Sequence, residues 1–356
     1  MAKAKKDKKR RLRSLVLLLF LTIVLLSTST YAWFTANRSV EISPINVQIA
    51  ASSGLQISTD AQDWKTVIST TDISAPTNWS THTNQLPSEL APVSTNGSVT
   101  SGYMNFYKGV VEGITSGVDT GKLALTATKS PAESRGTTGD FIAFDIFLKV
   151  DQESGADIYL ENGSGVKYTT ETTDKGLQYA SRYGFVIEGN VGSNATPASA
   201  QALMNGANSI VVEPNFDAHK ASGTNNASTY YNITTTTAAS GVAAVPYLGV
   251  KAAISTPIVL IDTNPGTGGS PSSTYFESVP TLYKTNVAYS EGDPDDYEAY
   301  KGNTQESHYL NVFHLSTGIT KIRVYMWVEG QDVDCENSAS GAFLTYKLGF
   351  TLDDDE

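Results

Sequence analysis

Alternation of apolar and polar positions dominates this chain. Over residues 141–150, Phe144, Ile146, Leu148 and Val150 fall on one side while Asp145, Lys149 and Asp151 fall on the other, with Phe147 the exception. Side chains of a strand point alternately to its two faces, so this pattern predicts a strand with one buried and one polar face. Near the end of the chain, Ile322, Val324, Met326 and Val328 form one apolar row, and Leu344, Tyr346, Leu348, Phe350 and Leu352 form another. These two strands are expected to pair in one sheet, separated by an acidic loop over residues 329–342. Shorter strands are expected at 54–58, 158–160, 183–189 and 210–213, with a polar turn at 60–63 and a return over 64–68.

An earlier strand is written by Val40 and Ile42, then by Ile45, Val47 and Ile49. The parity flips at Ser43-Pro44, where a proline that cannot donate a ladder hydrogen bond marks a bulge or an edge. Helix is scarce: a turn over 176–181, and a short Ala-rich segment over 197–205 with Thr196 as its cap. Between the strands lie polar stretches rich in Ser, Thr, Asn, Gly and Pro at 70–101, 216–237 and 264–273, and a charged turn at 291–298. The first of these reads as an exposed excursion, partly ordered around Trp79. Residues 241–254 are apolar but broken by Pro246 and Gly249, which leaves their type open. Many short strands, little helix and polar connections predict an all-β fold, a jelly-roll-like antiparallel β-sandwich with one or two short helices. It forms one domain over residues 33–356, with insertions near 70–135, 190–240 and 262–306.

The first 32 residues differ from the rest. Eight bases (Lys3, Lys5, Lys6, Lys8, Lys9, Arg10, Arg11 and Arg13) precede an apolar run from Leu15 to Leu26, and four hydroxyl residues then lead into Tyr31-Ala32-Trp33-Phe34. That order predicts an N-terminal signal helix, cut between Ala32 and Trp33 by a signal peptidase. The rival reading is a retained anchor, since the stretch from Leu15 to Phe34 has the roughly 20 residues that one span needs. Four consecutive hydroxyl residues make a poor membrane centre and favour cleavage. The protein is therefore expected to be secreted or held at the cell surface, with membrane contact only through this segment.

Charge changes the picture of the remainder. The first 32 residues carry a net +7, so the chain's formal −11 conceals −18 over the rest. An acidic surface of that size disfavours nucleic acid as a partner. The single cysteine, Cys335, rules out an intramolecular disulfide and reads as a small packed residue.

Candidate chemistry is sparse. The four histidines, His82, His219, His308 and His314, form no H-E-x-x-H pair, no G-x-S-x-G elbow is present, and the glycines at 266–269 lack a phosphate-binding lysine. No enzyme activity and no cofactor are expected. Glu329, Asp332, Asp334 and Glu336 supply the hard oxygens that calcium prefers, as do Asp293, Asp295, Asp296 and Glu298. The first set lacks the glycine and the final glutamate of an EF-hand, and a solvated acidic face is the competing reading. Seven N-x-S/T sequons, at Asn37, Asn78, Asn96, Asn162, Asn194, Asn226 and Asn232, are weak signals in so Asn-rich a chain.

Thr30-Tyr31-Ala32-Trp33-Phe34-Thr35, just after an apolar run and leading into a Val/Ile strand, resembles the start of the TasA/camelysin-like proteins exported by Gram-positive bacteria. The segment from Arg323 to Cys335 and the strand after it are similar to the end of many secreted proteins of that group. The resemblance covers about 35 residues at the two ends. It implies a jelly-roll subunit of biofilm-matrix fibres that self-associates by passing its N-terminal strand to a neighbour, in some cases beside a companion matrix protein. Val40, Ile42, Ile45, Val47 and Ile49 would then be the donor strand. Some relatives are called metalloproteases, and the missing zinc motif speaks against that role here. A different class of function is a monomeric surface module for glycans or host proteins, using polar loops and exposed aromatics such as Trp79.

Overall fold

The computed structural model describes residues 40–41, 48–51, 55–114, 116–117, 120, 123–161, 164–168, 177–214, 242–259, 274–284, 310–332, 335 and 344–352. The expected signal segment, the expected cut between Ala32 and Trp33, the Ser43-Pro44 flip, and the polar stretches at 216–237, 264–273 and 291–298 lie outside these residues. Among the described residues, no helix is long and apolar enough to cross a membrane.

Two sheets form an antiparallel sandwich-like arrangement, as the alternation predicts. The larger has seven strands in the order Val242–Val250, Phe276–Lys284, Ser209–Val212, Ser181–Val191, Gly318–Val328, Ile142–Val150 and Gln56–Ser58. Its neighbours are antiparallel except for Ser209–Val212 beside Phe276–Lys284. The smaller runs Leu310–Leu315, Ala156–Leu160, Leu344–Thr351, Gln48–Ala51 and Val67–Ile68, with Gly165–Tyr168 also paired to Leu344–Thr351. The core between them takes Phe144, Ile146, Leu148, Tyr183, Phe185, Ile322, Val324, Met326 and Val328 from the larger sheet. From the smaller come Ile49, Ile158, Leu160, Leu344, Tyr346, Leu348 and Phe350. The rows read from sequence are thus the two halves of one core.

The pairing expected for the last two strands is corrected. Gly318–Val328 lies between Ser181–Val191 and Ile142–Val150, whereas Leu344–Thr351 belongs to the other sheet. They face each other across the core rather than sharing a ladder. Alternation fixes which residues point inward but not which strand is the neighbour, so the two cases look alike in sequence.

The short helices fall where expected, at Leu177–Ala180 and at Pro197–Gln201, where Thr196 Oγ1 accepts from the Ser199 amide. A third, Thr70–Ser74, lies inside the stretch read as exposed; Ser69 and Asp72 close a reciprocal capping box at its start. That stretch is not an exposed excursion. Ile73, Trp79, His82, Asn84, Leu86, Leu90, Val93 and Ser94 are buried, and Trp79 packs at 5.5 Å from Phe147 instead of facing solvent. The described parts of residues 59–141 therefore act as a cover over the second face of the larger sheet, apart from Ile68, Ile73, Leu86 and Leu90, which join the core between the two sheets. Phe106 and Phe141 stack at 4.0 Å and close with Trp327 and Tyr325 into a second apolar cluster there. Polar composition misled because Ser, Thr and Asn here satisfy buried backbone groups: Asn84 Nδ2 donates to the Ile73 carbonyl, and its Oδ1 accepts from the Asp145 amide.

Candidate functional site

The second face of the central strand reads Lys321, Arg323, Tyr325, Trp327, with Glu329 following at its end, each alternate with an inward apolar residue. Alternation makes this face polar, and an uncovered sheet would leave it wet. Instead all five residues are buried beneath the 59–141 cover. Burying a charge is costly unless it is paired, so the partners of these side chains define the site.

Arg323 has the densest set. Its Nη1 lies 3.0 Å from Asp145 Oδ1 on the adjacent strand, where the two residues are directly opposed, and its Nε donates to Glu133 Oε2 at 2.8 Å. Nη2 also reaches Glu133 and the Thr83 carbonyl. Burial works against the guanidinium, but Asp145 and Glu133 outweigh it and hold it protonated, well above its ordinary value. Glu133 belongs to the cover, so the pair Arg323–Glu133 ties cover to sheet. Tyr325 adds a second tie, donating to Glu133 Oε1 at 2.9 Å and accepting from the Met104 amide at 3.0 Å. Burial raises Glu133 above the usual carboxylate value, with Arg323 opposing the shift.

Lys321 lies further along the row. Its Nζ donates to the carbonyls of Gln201 and Leu203 at 3.1 and 2.9 Å, sits 3.5 Å from Asp145 Oδ2, and lies 5.0 Å from the centre of the Trp79 ring. Beside it the Ser181–Val191 strand bulges between Ile187 and Gly189, and Gly189 pairs with Lys321. The extra residue is Glu188. Its Oε2 accepts from the Gly206 amide at 2.9 Å, while Oε1 has no hydrogen-bond partner among the described residues. Burial raises its carboxyl above the ordinary value. Gly102, with φ of 82°, closes over this carboxyl so tightly that a Cβ there would lie 2.8 Å from Oε2.

His82 completes this end. Its Nδ1 accepts from the Asn84 amide at 3.2 Å, which places the proton on Nε2. Burial, with Arg135 adding to it, lowers the imidazole below its ordinary value and keeps it neutral.

A second group gathers where the row ends. Glu329 accepts from Trp327 Nε1 and from the Gln331 amide, both at 3.1 Å, and burial pushes its carboxyl up to about 7. The cover reaches it directly: Val93 receives from and donates to the backbone of Gly330 and Val328, and Ser94 bonds the carboxyl. Nearby, Arg182 Nη2 lies 2.5 Å from Asp332 Oδ2 and 3.4 Å from Glu213 Oε2.

This geometry bears on the calcium set. Glu329 and Asp332 are buried and engaged with Trp327, Gln331 and Arg182, so the reading of a solvated acidic face is corrected for both. Asp334 and Glu336 lie outside the described residues, as do Asp293, Asp295, Asp296 and Glu298. Among the described residues, no group of three or more His, Cys, Asp or Glu side chains is placed to hold a metal ion. Cys335 is buried in the main core, as expected of a small packed residue. His314 pairs with Asp157 at 2.8 Å on the surface, and His219 and His308 fall outside the described residues.

Of the residues expected to form a donor strand, Ile42, Ile45 and Val47 lie outside the described residues. Val40 pairs with Leu90 of the cover. Ile49 is fully buried in the main core, on a strand set between Leu344–Thr351, to which it runs parallel, and Val67–Ile68, to which it runs antiparallel.

The ionic row was the feature that sequence reasoning missed. A signal existed: a face carrying Lys321 and Arg323 also carries Tyr325 and Trp327, and large aromatics on a supposedly wet face point to a covering layer. No family model, no curated protein and no solved structure matches this chain.

Proposed function

We propose that the protein is an exported structural subunit of the cell surface or extracellular matrix that assembles by exchanging its N-terminal strand. The supporting observation is the position of Gln48–Ala51. It is four residues long, interior to the smaller sheet, and, among the described residues, closed on its far side by the two-residue strand Val67–Ile68. If that strand leaves, Leu344–Thr351 presents an open edge and a vacated Ile49 pocket, into which the same strand of a second copy fits by construction. Main-chain bonds supply the affinity and the Ile49 side chain sets the register. In this reading the closed monomer is the storage form, and a signal peptidase releases the segment that precedes the strand. The resemblance of residues 30–35 to the TasA/camelysin-like start favours the same assignment.

The alternative of a glycan- or protein-binding module drew on polar loops and on exposed aromatics such as Trp79. Trp79 is buried, so that reading now rests on the polar loops alone.

The test is electron microscopy and size-exclusion chromatography of the secreted chain with and without residues 33–51. Polymers that need those residues support strand exchange. Unchanged polymers without them, or a full-length chain that stays monomeric at high concentration, overturn it.

A further inference from the structure

Lys321 and Asp145 lie on adjacent antiparallel strands, diagonal to one another on the covered face. Their side chains are 4% and 3% exposed, and Nζ is 3.5 Å from Oδ2. That separation is longer than a charge-assisted hydrogen bond, so the amine and the carboxyl are in contact without being locked to one another. The remaining surroundings of the nitrogen are fixed. Two of its hydrogens point to the carbonyls of Gln201 and Leu203, so the third direction, which becomes a lone pair on deprotonation, faces the carboxyl. Trp79 lies over the ammonium and keeps water away.

We propose that Lys321 and Asp145 join through an intramolecular amide bond between Nζ and Cγ, with Glu188 as the proton carrier. Nζ gives up a proton and attacks Cγ. The bond between Cγ and Oδ2 breaks, and Oδ2 leaves as water with two protons that come from the nitrogen. One ammonium and one carboxylate become one amide and one water, with nothing oxidised or reduced. The positive charge of Arg323, with Nη1 3.0 Å from Oδ1, stabilises the negative oxygen that forms on attack, as a fixed charge does in acyl transfer.

Glu188 is suited to the relay. The bulge sets it next to Gly189, the residue opposite Lys321, in a fully buried position, and its Oε1 has no hydrogen-bond partner among the described residues. Burial favours the protonated form of this carboxyl, and a carboxyl so placed gives a proton to the departing oxygen and takes one from the nitrogen.

Electrostatics favours the product. Lys321, Arg323, Asp145 and Glu133 balance as two positive and two negative groups beneath the cover. The reaction removes one of each sign and leaves Arg323 with Glu133, so two buried charges disappear without stranding a third. A chain with a single cysteine gains in this way the covalent tie between strands that a disulfide would otherwise provide.

Mass spectrometry of the denatured full chain, referenced to its own sequenced N-terminus, tests the proposal. The expected mass is lower than the sequence value by one water, and fragmentation should find one branched peptide containing both residues. A chain at the full sequence mass overturns the proposal whatever the variants do. Lys321→Arg keeps the cation but lacks the amine, and is expected at full mass; if it remains one water lighter, the loss arises elsewhere and the assignment fails. Glu188→Gln is expected to leave most of the chain uncrosslinked, and an undiminished bond in it would overturn the role given to Glu188.

Discussion

Glu329 offers the sharpest energetic prediction. Its carboxyl is fully buried, and its folded value of about 7 stands against an ordinary 4.5. Below 4.5 the group is protonated in both the folded and the unfolded chain and contributes nothing to pH dependence. Between 4.5 and 7 the unfolded chain loses the proton while the folded chain keeps it, so stability falls as pH rises through this window. Above 7 the loss is constant. A difference of that size corresponds to about 3 kcal/mol. Glu329→Gln removes the ionisation but keeps a carbonyl for part of the set made by Ser94, Trp327 Nε1 and the Gln331 amide, at a cost of about 1 kcal/mol. The variant should therefore be less stable than the parent near pH 4.5 and more stable near pH 8. Urea unfolding followed by tryptophan fluorescence, at half-unit steps across that range, measures the crossing. A stability difference that does not change with pH would refute the reasoning, because the carboxyl would then titrate alike in both states.

Other expectations follow from the cover and its contacts. Glu133→Ala leaves Arg323 with Asp145 alone and deprives Tyr325 of its acceptor; we expect a loss of about 3 kcal/mol in chemical unfolding and faster proteolysis within residues 59–141. Gly249→Ala would put a Cβ 1.9 Å from the Thr95 carbonyl oxygen, a backbone atom that cannot move aside, so a loss of roughly 2 kcal/mol by thermal melting is expected. His82, whose pKa burial holds below its ordinary value of 6.5, binds a proton in the unfolded chain first, so its contribution is present above 6.5 and is lost as pH falls through the folded value. His82→Gln should flatten that acid limb in the same urea series. Ile49→Ala should cost about 3 kcal/mol in the monomer, read by the same unfolding measurement.

The inward rows were legible because a strand's two faces are written directly in alternate residues. Phe144 to Val150 and Ile322 to Val328 needed no other information. Neighbour relations were not legible, since Leu344–Thr351 would show the same row whether it lay beside Gly318–Val328 or across from it. The cover was hidden for a different reason. Its apolar anchors, Ile73, Trp79, Leu90, Val93 and Phe106, are single residues spaced irregularly through polar chain, so no period announces them. The ionic row was obscured by the usual expectation that Lys, Arg and Glu belong in water, an expectation that fails when a second layer brings Glu133 and meets Asp145. Strands such as Tyr107–Gly113 and Leu123–Lys129, built largely of Thr, Ala, Gly and Lys, carry too little apolar contrast to be read at all.

The parallel contact between Gln48–Ala51 and Leu344–Thr351 has a consequence for biogenesis. Gln48–Ala51 leaves the ribosome long before Leu344–Thr351, beside which it comes to rest, so the smaller sheet stays unfinished until that later strand emerges. During that interval the waiting strand is a sticky, unclaimed ribbon, and any nascent sister whose late strand is already exposed competes for it. Whether a cell obtains closed single molecules or linked ones is then a contest between the pace of chain completion and the local crowding of copies.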